Sequence, residues 1–504
     1  MSQEKILIIG GGLGGLALAC RLAKQGNAVE VFERHASVGG RVAQKKVKGY
    51  TIDLGPTFML MPGEFEELFT YCGRDMRDYV PIQRLDPCYR LHFADQTHMD
   101  FYSGLPEMLH ELKRFAQQDL QGYLNFLAYQ QEKYAVVYEN FITQPADSLS
   151  KIALSPQIFE LLNLDGFISM WDHAAKFFSD EHLRLGFSFQ SMYLGESPLA
   201  TPGTYSIIPF VELTQGVWYP TQGIRSIVDG IAKLAKELGV KVHVKAAVQE
   251  IIIDEQRRAT GIRLENGAIV TADRIVSNLD LPATYVKLIP ASKRAIYTDK
   301  KVNALKYSSS AFMLFLGVDK DYAQLEHHNV FFCKDYLHNF KQLFDTMEVP
   351  QDPSVYVNVP TRTNPKLAPK GKHLLYVLVP VPIRPQRDGK AWDWNLEKEG
   401  FADAIITQLE ARGLNDLRKH IRMKEVFTPH DWEALGGMHL GSTFGLSPIF
   451  FQSSVFRPKQ KSEEFKSLYF VGASTHPGSG MPMVLISART CQQLIQRDSL
   501  ERNA

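Results

Sequence analysis

"KILIIGGGLGGLALACRLAKQGNAVEVFE", running from Lys5 to Glu33, decides the fold. Ile6 to Ile9 form an apolar run rich in β-branched residues, the pattern of a strand buried on both faces of a parallel sheet. Gly10-x-Gly12-x-x-Gly15 follows, with Leu13 and Gly14 inside it, and an Ala/Leu-rich helix then runs to about Lys24. Gly26 ends that helix, and "AVEVFE" is the next strand, closing on Glu33. The first glycine permits a tight turn, the second lets the backbone approach a pyrophosphate, and the third lets helix pack on strand. The acid about twenty residues on accepts from ribose hydroxyls. Strand, glycine loop, helix and acid together read as a dinucleotide site in an α/β, Rossmann-like domain. Glu33 leaves no place for a 2′-phosphate, which disfavours NADP.

Two further motifs lengthen the cofactor. "GGR" spans Gly39, Gly40 and Arg41, and "GYTIDLGPT" spans Gly49 to Thr57. Guanidinium matches phosphate oxygens bidentately, so Arg41 is a candidate diphosphate partner; an ordinary surface ion pair is the plainer alternative. Asp53-Leu54-Gly55-Pro56 reads as a tight turn before Thr57. An NAD dehydrogenase needs neither loop. FAD is longer and does.

Near the end stands "GASTHPGSGMPMVLISART", Gly472 to Thr490, a glycine-rich loop feeding an apolar helix. Such a loop lets backbone come close to a ligand, and the helix presents its first N–H groups. With the two N-terminal motifs, this ending resembles the bacterial phytoene desaturase family of amine-oxidase-like FAD flavoproteins. The similarity spans the chain and includes "EHLRLGFSFQSMYLGESP", "TYSIIPFVELTQGVWYPTQGI", "LAPKGKHLLYVLVPVP" and "FTPHDW".

The resemblance implies an amine-oxidase-type FAD-binding domain with an inserted mixed-sheet substrate domain and a helical, membrane-facing lid region. It assigns 1–84, 223–290 and 430–504 to the FAD domain, and 85–222 and 291–429 to the substrate and membrane-associated regions. The strand Ser467 to Gly472 brings the chain back, Gly478 and Gly480 allow close approach, and Met481-Pro482-Met483 start a helix aimed at the flavin. Gly472, Gly480, Met481 and Pro482 thereby join the cofactor set, as does Val248 through a backbone contact to adenine. Asp147 and His476 are the candidate catalytic residues. Asp147 also suits a helix N-cap, and His476 a packing role. Two departures from the family pattern stand out: Met483 where relatives carry a smaller residue, and Ser150 where they carry a basic one.

The middle of the chain fits this plan. A helix is expected from about Arg225 to Leu238, capped by Gly239, then two strands, then a hairpin turning at Asn266-Gly267. Gln121 to Phe141 reads as helix, and "AFMLFLGV", "SVYVNVP" and "LLYVLVPVP" as strands of a second sheet. The aromatic excess of these segments suits a core or a lipid-like tunnel.

Composition sets outer limits. The 504 residues are 45% hydrophobic and 22% charged with net charge +1, which offers no electrostatic case for nucleic acid. The five cysteines are scattered without C-x-x-C spacing, so free thiols in a reducing cytoplasm are expected and a metal site is not. No run reaches the roughly eighteen apolar residues of a spanning helix, and the N-terminal run is preceded by Glu4 and Lys5 and broken by glycines. The expectation is a cytoplasmic protein, without a signal peptide, attached to one membrane face.

The implied activity is FAD-dependent desaturation of a linear polyene precursor, phytoene or dehydrosqualene, with oxygen or a quinone reoxidising the flavin. Alternatives are a carotenoid oxygenase acting on a terminal methyl group and a desaturase of a later carotenoid. An amine oxidase fits the superfamily less well because of the closing motif. A lipid-group carrier for small GTPases fits least, since its flavin motifs are degenerate.

Overall fold

The computed structural model describes residues 3–145, 165–383, 392–453 and 456–503. Asp147 lies outside them. Five parallel strands form the first sheet, in the order Leu468–Phe470, Arg274–Ser277, Lys5–Ile9, Ala28–Phe32, Lys241–His243. Ile6, Leu7 and Ile8 have no exposed surface, which is why the central strand is continuously apolar. Helix Leu13–Lys24 is buried from Leu13 to Leu22, because helices Arg225–Glu237 and Met481–Asn503 both pack against it. A helix enclosed in this way is apolar all round, as its Ala/Leu sequence is.

The segments expected to return do so. Leu468–Phe470 pairs in parallel with Arg274–Ser277, and this brings the closing loop to the rim of the first sheet. Val248–Ile253, Ala259–Leu264 and Ile269–Thr271 make a separate antiparallel sheet whose second turn is Asn266-Gly267, with Gly267 at φ +85°.

The second large sheet has seven strands in the order Ile421–Phe427, Ser310–Val318, His373–Val381, Val355–Asn358, His328–Phe331, Tyr89–His92, His98–Phe101. It is mixed: His328–Phe331 and Tyr89–His92 run parallel, the other pairs antiparallel. Two stretches far apart in sequence thus share one sheet. Side chains alternate across it with the strand period of two. Phe312, Leu314 and Leu316 pack on one face with Trp394, Phe401 and Ile405 of helix Trp394–Ala411. Ala311, Met313 and Phe315 pack on the other with Tyr50, Ile52 and Trp432. Helix Pro429–Gly436 carries Trp432, whose indole Nε1 donates to the Ala311 carbonyl at 2.7 Å. That helix therefore rests on the seven-stranded sheet, although the sequence grouped it with the first.

Strand Ile82–Leu85 pairs with Val217–Pro220, so the chain leaves the first layer and re-enters it side by side. The helix expected over Gln121–Phe141 spans Leu120–Val137 and continues as a π turn, Tyr138–Ile142. Among the described residues no helix is long and apolar enough to cross a membrane. All five cysteines are buried free thiols.

Candidate cofactor and substrate cavity

One cavity of about 900 Å³ connects the two large sheets. Its wall holds Gly10, Glu33, Arg41, Val248 and Asn278 as well as Val137, Met192, Ile208, Val211 and Met313. The first group comes from strand termini and glycine loops, the second from the helical region and the seven-stranded sheet.

Glu33 is buried at the close of the second strand. Its Oε2 accepts from the Gly11 N–H at 2.9 Å and its Oε1 from the His35 N–H at 2.9 Å. The acid therefore ties the glycine loop to the turn after the second strand, and lone pairs on both oxygens still serve a hydroxyl. Helix Leu13–Lys24 starts at Gly12 with no side-chain cap and no acid in its first turn. Its first N–H groups are left for a ligand, the arrangement a diphosphate requires. A Cβ on Gly15 would collide with the Gly10 carbonyl, so only glycine lets this helix meet the strand so closely.

The next two loops nest. A Cβ on Gly55 would strike the Arg41 carbonyl, and Tyr376 Oη donates to the Gly55 carbonyl at 2.8 Å from the opposite side. Asp53 anchors the turn by accepting from Ile224 N at 2.9 Å and Gln44 Nε2 at 3.0 Å. The Arg41 guanidinium is ion-paired with Asp280, and both residues line the cavity. Arg41 is thus positioned over the cavity by a carboxylate the sequence reading did not identify.

At the closing loop, Arg457 is buried and lines the cavity. Its Nη2 donates to the Ala473 carbonyl at 2.6 Å and its Nε to the Thr475 carbonyl at 3.2 Å. His476 is also buried in the wall, and desolvation lowers its imidazole to about 4, so it is neutral at pH 7. At Gly480 a Cβ meets no protein atom within 4 Å, so the space beside it is open to a ligand. What demands glycine is φ +106°, a region side chains with L chirality avoid.

The structure brings Gly10, Gly12, Leu13, Gly14, Glu33, Gly39, Gly40, Arg41, Gly55, Pro56, Thr57 and Val248 to this one wall, with Gly472, Gly480, Met481 and Pro482. Gly15 stands just behind it. Sequence reasoning missed Asn278 and Asp280, which follow a strand end and carry no motif. It also missed Arg457, Tyr193 and Tyr356, which reach the cavity only through the packing of distant segments.

A cavity combining this glycine cradle with a long apolar extension fits FAD. The profile of the flavin containing amine oxidoreductase family matches residues 13–495. The chain belongs to this family. It is 41% identical over 488 residues to the zeta-carotene-forming phytoene desaturase of Myxococcus xanthus, covering 96% of this chain and 92% of that one. It is 35% identical to a 4,4'-diapophytoene desaturase (4,4'-diapolycopene-forming) of Methylomonas sp, covering 98% and 96%. An oxidoreductase from Methanosarcina mazei has the same fold, with a TM-score of 0.63 at 20% identity over 97% of this chain and all of that one. The protein is an FAD-dependent oxidoreductase of the bacterial phytoene desaturase group.

Proposed function

We propose that this flavoprotein is a carotenoid desaturase, introducing double bonds into phytoene or its thirty-carbon counterpart. The observation that carries the reading is the continuity of the cavity, from the Gly10–Gly15 loop to a wall of Val137, Ile208, Val211 and Met313. A polyene precursor is apolar along its length, and burying it against such a wall is favourable at about 25 cal/mol per Å². The near full-length similarity to phytoene and diapophytoene desaturases supports the same substrate class.

Bound FAD supplies the oxidant, taking up a hydride equivalent. Gly10, Gly12, Glu33 and Arg41 would hold its adenosine diphosphate, and Gly55, Thr57 and the Gly472–Pro482 loop its ring. The apolar wall aligns the substrate bond and excludes water. In this reading 1–84, 223–290 and most of 430–504 hold the cofactor, and 85–222 with 291–429 hold the substrate. The reoxidant, oxygen or a quinone, is part of the proposal.

The proposal extends to peripheral membrane attachment in the cytoplasm. Phe450 and Phe456 line the cavity, and Phe167 and Phe451 beside them are 68% and 74% exposed. Their rings pack into one group, with Phe167–Phe450 centroids 4.8 Å apart in a tilted pair and Phe450–Phe451 5.3 Å apart edge to face. Exposed aromatics at the mouth of an apolar cavity suit entry from a bilayer.

The test is incubation of purified FAD-loaded protein with phytoene and, separately, diapophytoene, followed by mass spectrometry. Successive losses of two hydrogens without added oxygen are expected. Oxygen gained at a terminal methyl group would establish the oxygenase instead.

A further inference from the structure

We infer that Thr57, Tyr356 and His328 form a hydrogen-bonded relay that takes the proton released by the substrate from the cavity wall to a buried imidazole. The inference rests on the desaturase reading and names the proton acceptor that reading lacks.

Thr57 and Tyr356 line the cavity, and His328 stands behind them, 3% exposed. Thr57 follows the Gly55-Pro56 turn. His328 and Asn358 are directly paired on neighbouring strands of the seven-stranded sheet, two residues from Tyr356. Tyr356 Oη lies 2.6 Å from Thr57 Oγ1 and 2.7 Å from His328 Nδ1.

The direction of these bonds follows from one side chain. Asn358 Nδ2 donates to the His327 carbonyl at 3.0 Å, and a carbonyl only accepts, so the orientation of the amide is fixed. The same Nδ2 lies 3.1 Å from His328 Nδ1. Nδ1 therefore accepts, its one lone pair shared between the Asn358 and Tyr356 donors, and the ring proton sits on Nε2, a buried nitrogen with no hydrogen-bond partner among the described residues. Tyr356 Oη must then donate to Nδ1, and Thr57 Oγ1 donates to Tyr356 Oη. Both hydroxyl protons point inward, from the cavity to the imidazole. The Thr57 oxygen keeps its lone pairs for a proton arriving from the cavity side.

Burial, together with the neighbouring His327, holds His328 well below the usual imidazole range, so its base site is vacant at neutral pH. A weak base is sufficient. The carbocation left by hydride loss beside a double bond is a far stronger acid than an imidazolium. With FAD bound as oxidant, the substrate would give up a hydride, with both bonding electrons, and a proton from the adjacent carbon. The electron pair of that second C–H bond becomes the new double bond. The proton passes to Thr57 Oγ1 as the Thr57 proton moves to Tyr356 Oη and the Tyr356 proton to His328 Nδ1. Both hydroxyls are regenerated and the imidazole becomes an imidazolium, which returns its proton along the same path to water entering the cavity once the product has left.

The test uses FAD-loaded wild type, Tyr356→Phe and His328→Gln, mixed without oxygen with phytoene or diapophytoene while flavin bleaching is followed. Gln accepts from Tyr356 but takes up no proton. Both variants are expected to bleach on the order of 10²-fold more slowly. Flavin content and the dissociation constant for substrate should stay near wild type. A slower rate matched by lost flavin or weakened substrate binding marks a structural role and overturns the relay. So do variants that bleach at the wild-type rate, and in that case the desaturase reading stands. If the wild type leaves both precursors unchanged, the desaturase reading fails and the relay falls with it. A second readout needs no turnover: nitrogen-15 NMR of histidine-labelled protein, with His328→Gln for assignment. It should show His328 neutral at pH 7 with its proton on Nε2, and a proton on Nδ1 overturns the relay.

Discussion

Glu33 accepts the backbone N–H of Gly11 at 2.9 Å, joining the end of the second strand to the glycine loop after the first. Its other oxygen accepts from His35, so one buried carboxylate satisfies two backbone donors. Glu33→Ala strands both and removes the ribose acceptor. The expected cost is about 1–3 kcal/mol in stability, with FAD retention reduced. Melting temperature and the flavin absorbance of the purified protein measure both, and a variant that keeps full flavin content contradicts the assignment.

Gly480 separates strain from charge. Its φ is +106°, so Gly480→Ala should cost about 1–2 kcal/mol in backbone strain. Gly480→Asp adds a negative charge beside the loop that would hold the flavin ring. Potentiometric titration should show a lower flavin reduction potential for Asp than for Ala, because the reduced ring gains electron density. Equal potentials would place this loop away from the ring.

Val211, on helix Ile207–Gln215, lines the cavity among apolar side chains. Val211→Trp should fill that space and abolish conversion of a long precursor while leaving flavin absorbance intact. Pigment chromatography of cells supplied with phytoene reads the first effect and absorbance the second.

Glu212 is wholly buried, accepting from Gln190 Nε2 at 3.1 Å and Tyr89 Oη at 3.2 Å. Desolvation raises its carboxyl from 4.5 to about 7. A carboxyl raised in the folded state holds its proton more tightly there than when unfolded. Its contribution to stability is therefore fully present below about pH 4.5 and is lost as pH rises through about 7. Glu212→Gln should flatten this dependence and stabilise the protein at pH 8 by roughly 3 kcal/mol at most. Urea melts of both proteins at pH 5.5 and pH 8 test it. An equal difference at the two pH values would show Glu212 to be charged throughout.

Phe451 and Phe456 are exposed beside the mouth of the cavity. Replacing both with Ser should weaken liposome flotation and slow conversion of vesicle-borne substrate, with the flavin spectrum unchanged. Undiminished flotation would place membrane contact elsewhere.

The sequence by itself determined the cofactor half of this protein, because each demand there is met within a few residues. A glycine at positive φ, an acid at a strand end and an uncapped helix start are local requirements. They left signatures at Gly10–Gly15, Glu33, Gly39–Arg41 and Gly472–Gly480. The strands of the second sheet were legible too, since near-continuous apolar runs such as "AFMLFLGV" mark a sheet with two covered faces. Only the tertiary structure decided what those faces meet. Tyr356 reaches Thr57 across 299 positions, and Arg41 pairs with Asp280 across 239. Glu212, a lone carboxylate in an apolar helix, has no pattern that announces complete burial. Such pairings are set by how the sheets and helices stack around the cavity. They leave no periodic trace, because a hydrogen bond constrains where two side chains end, not where they begin in the chain.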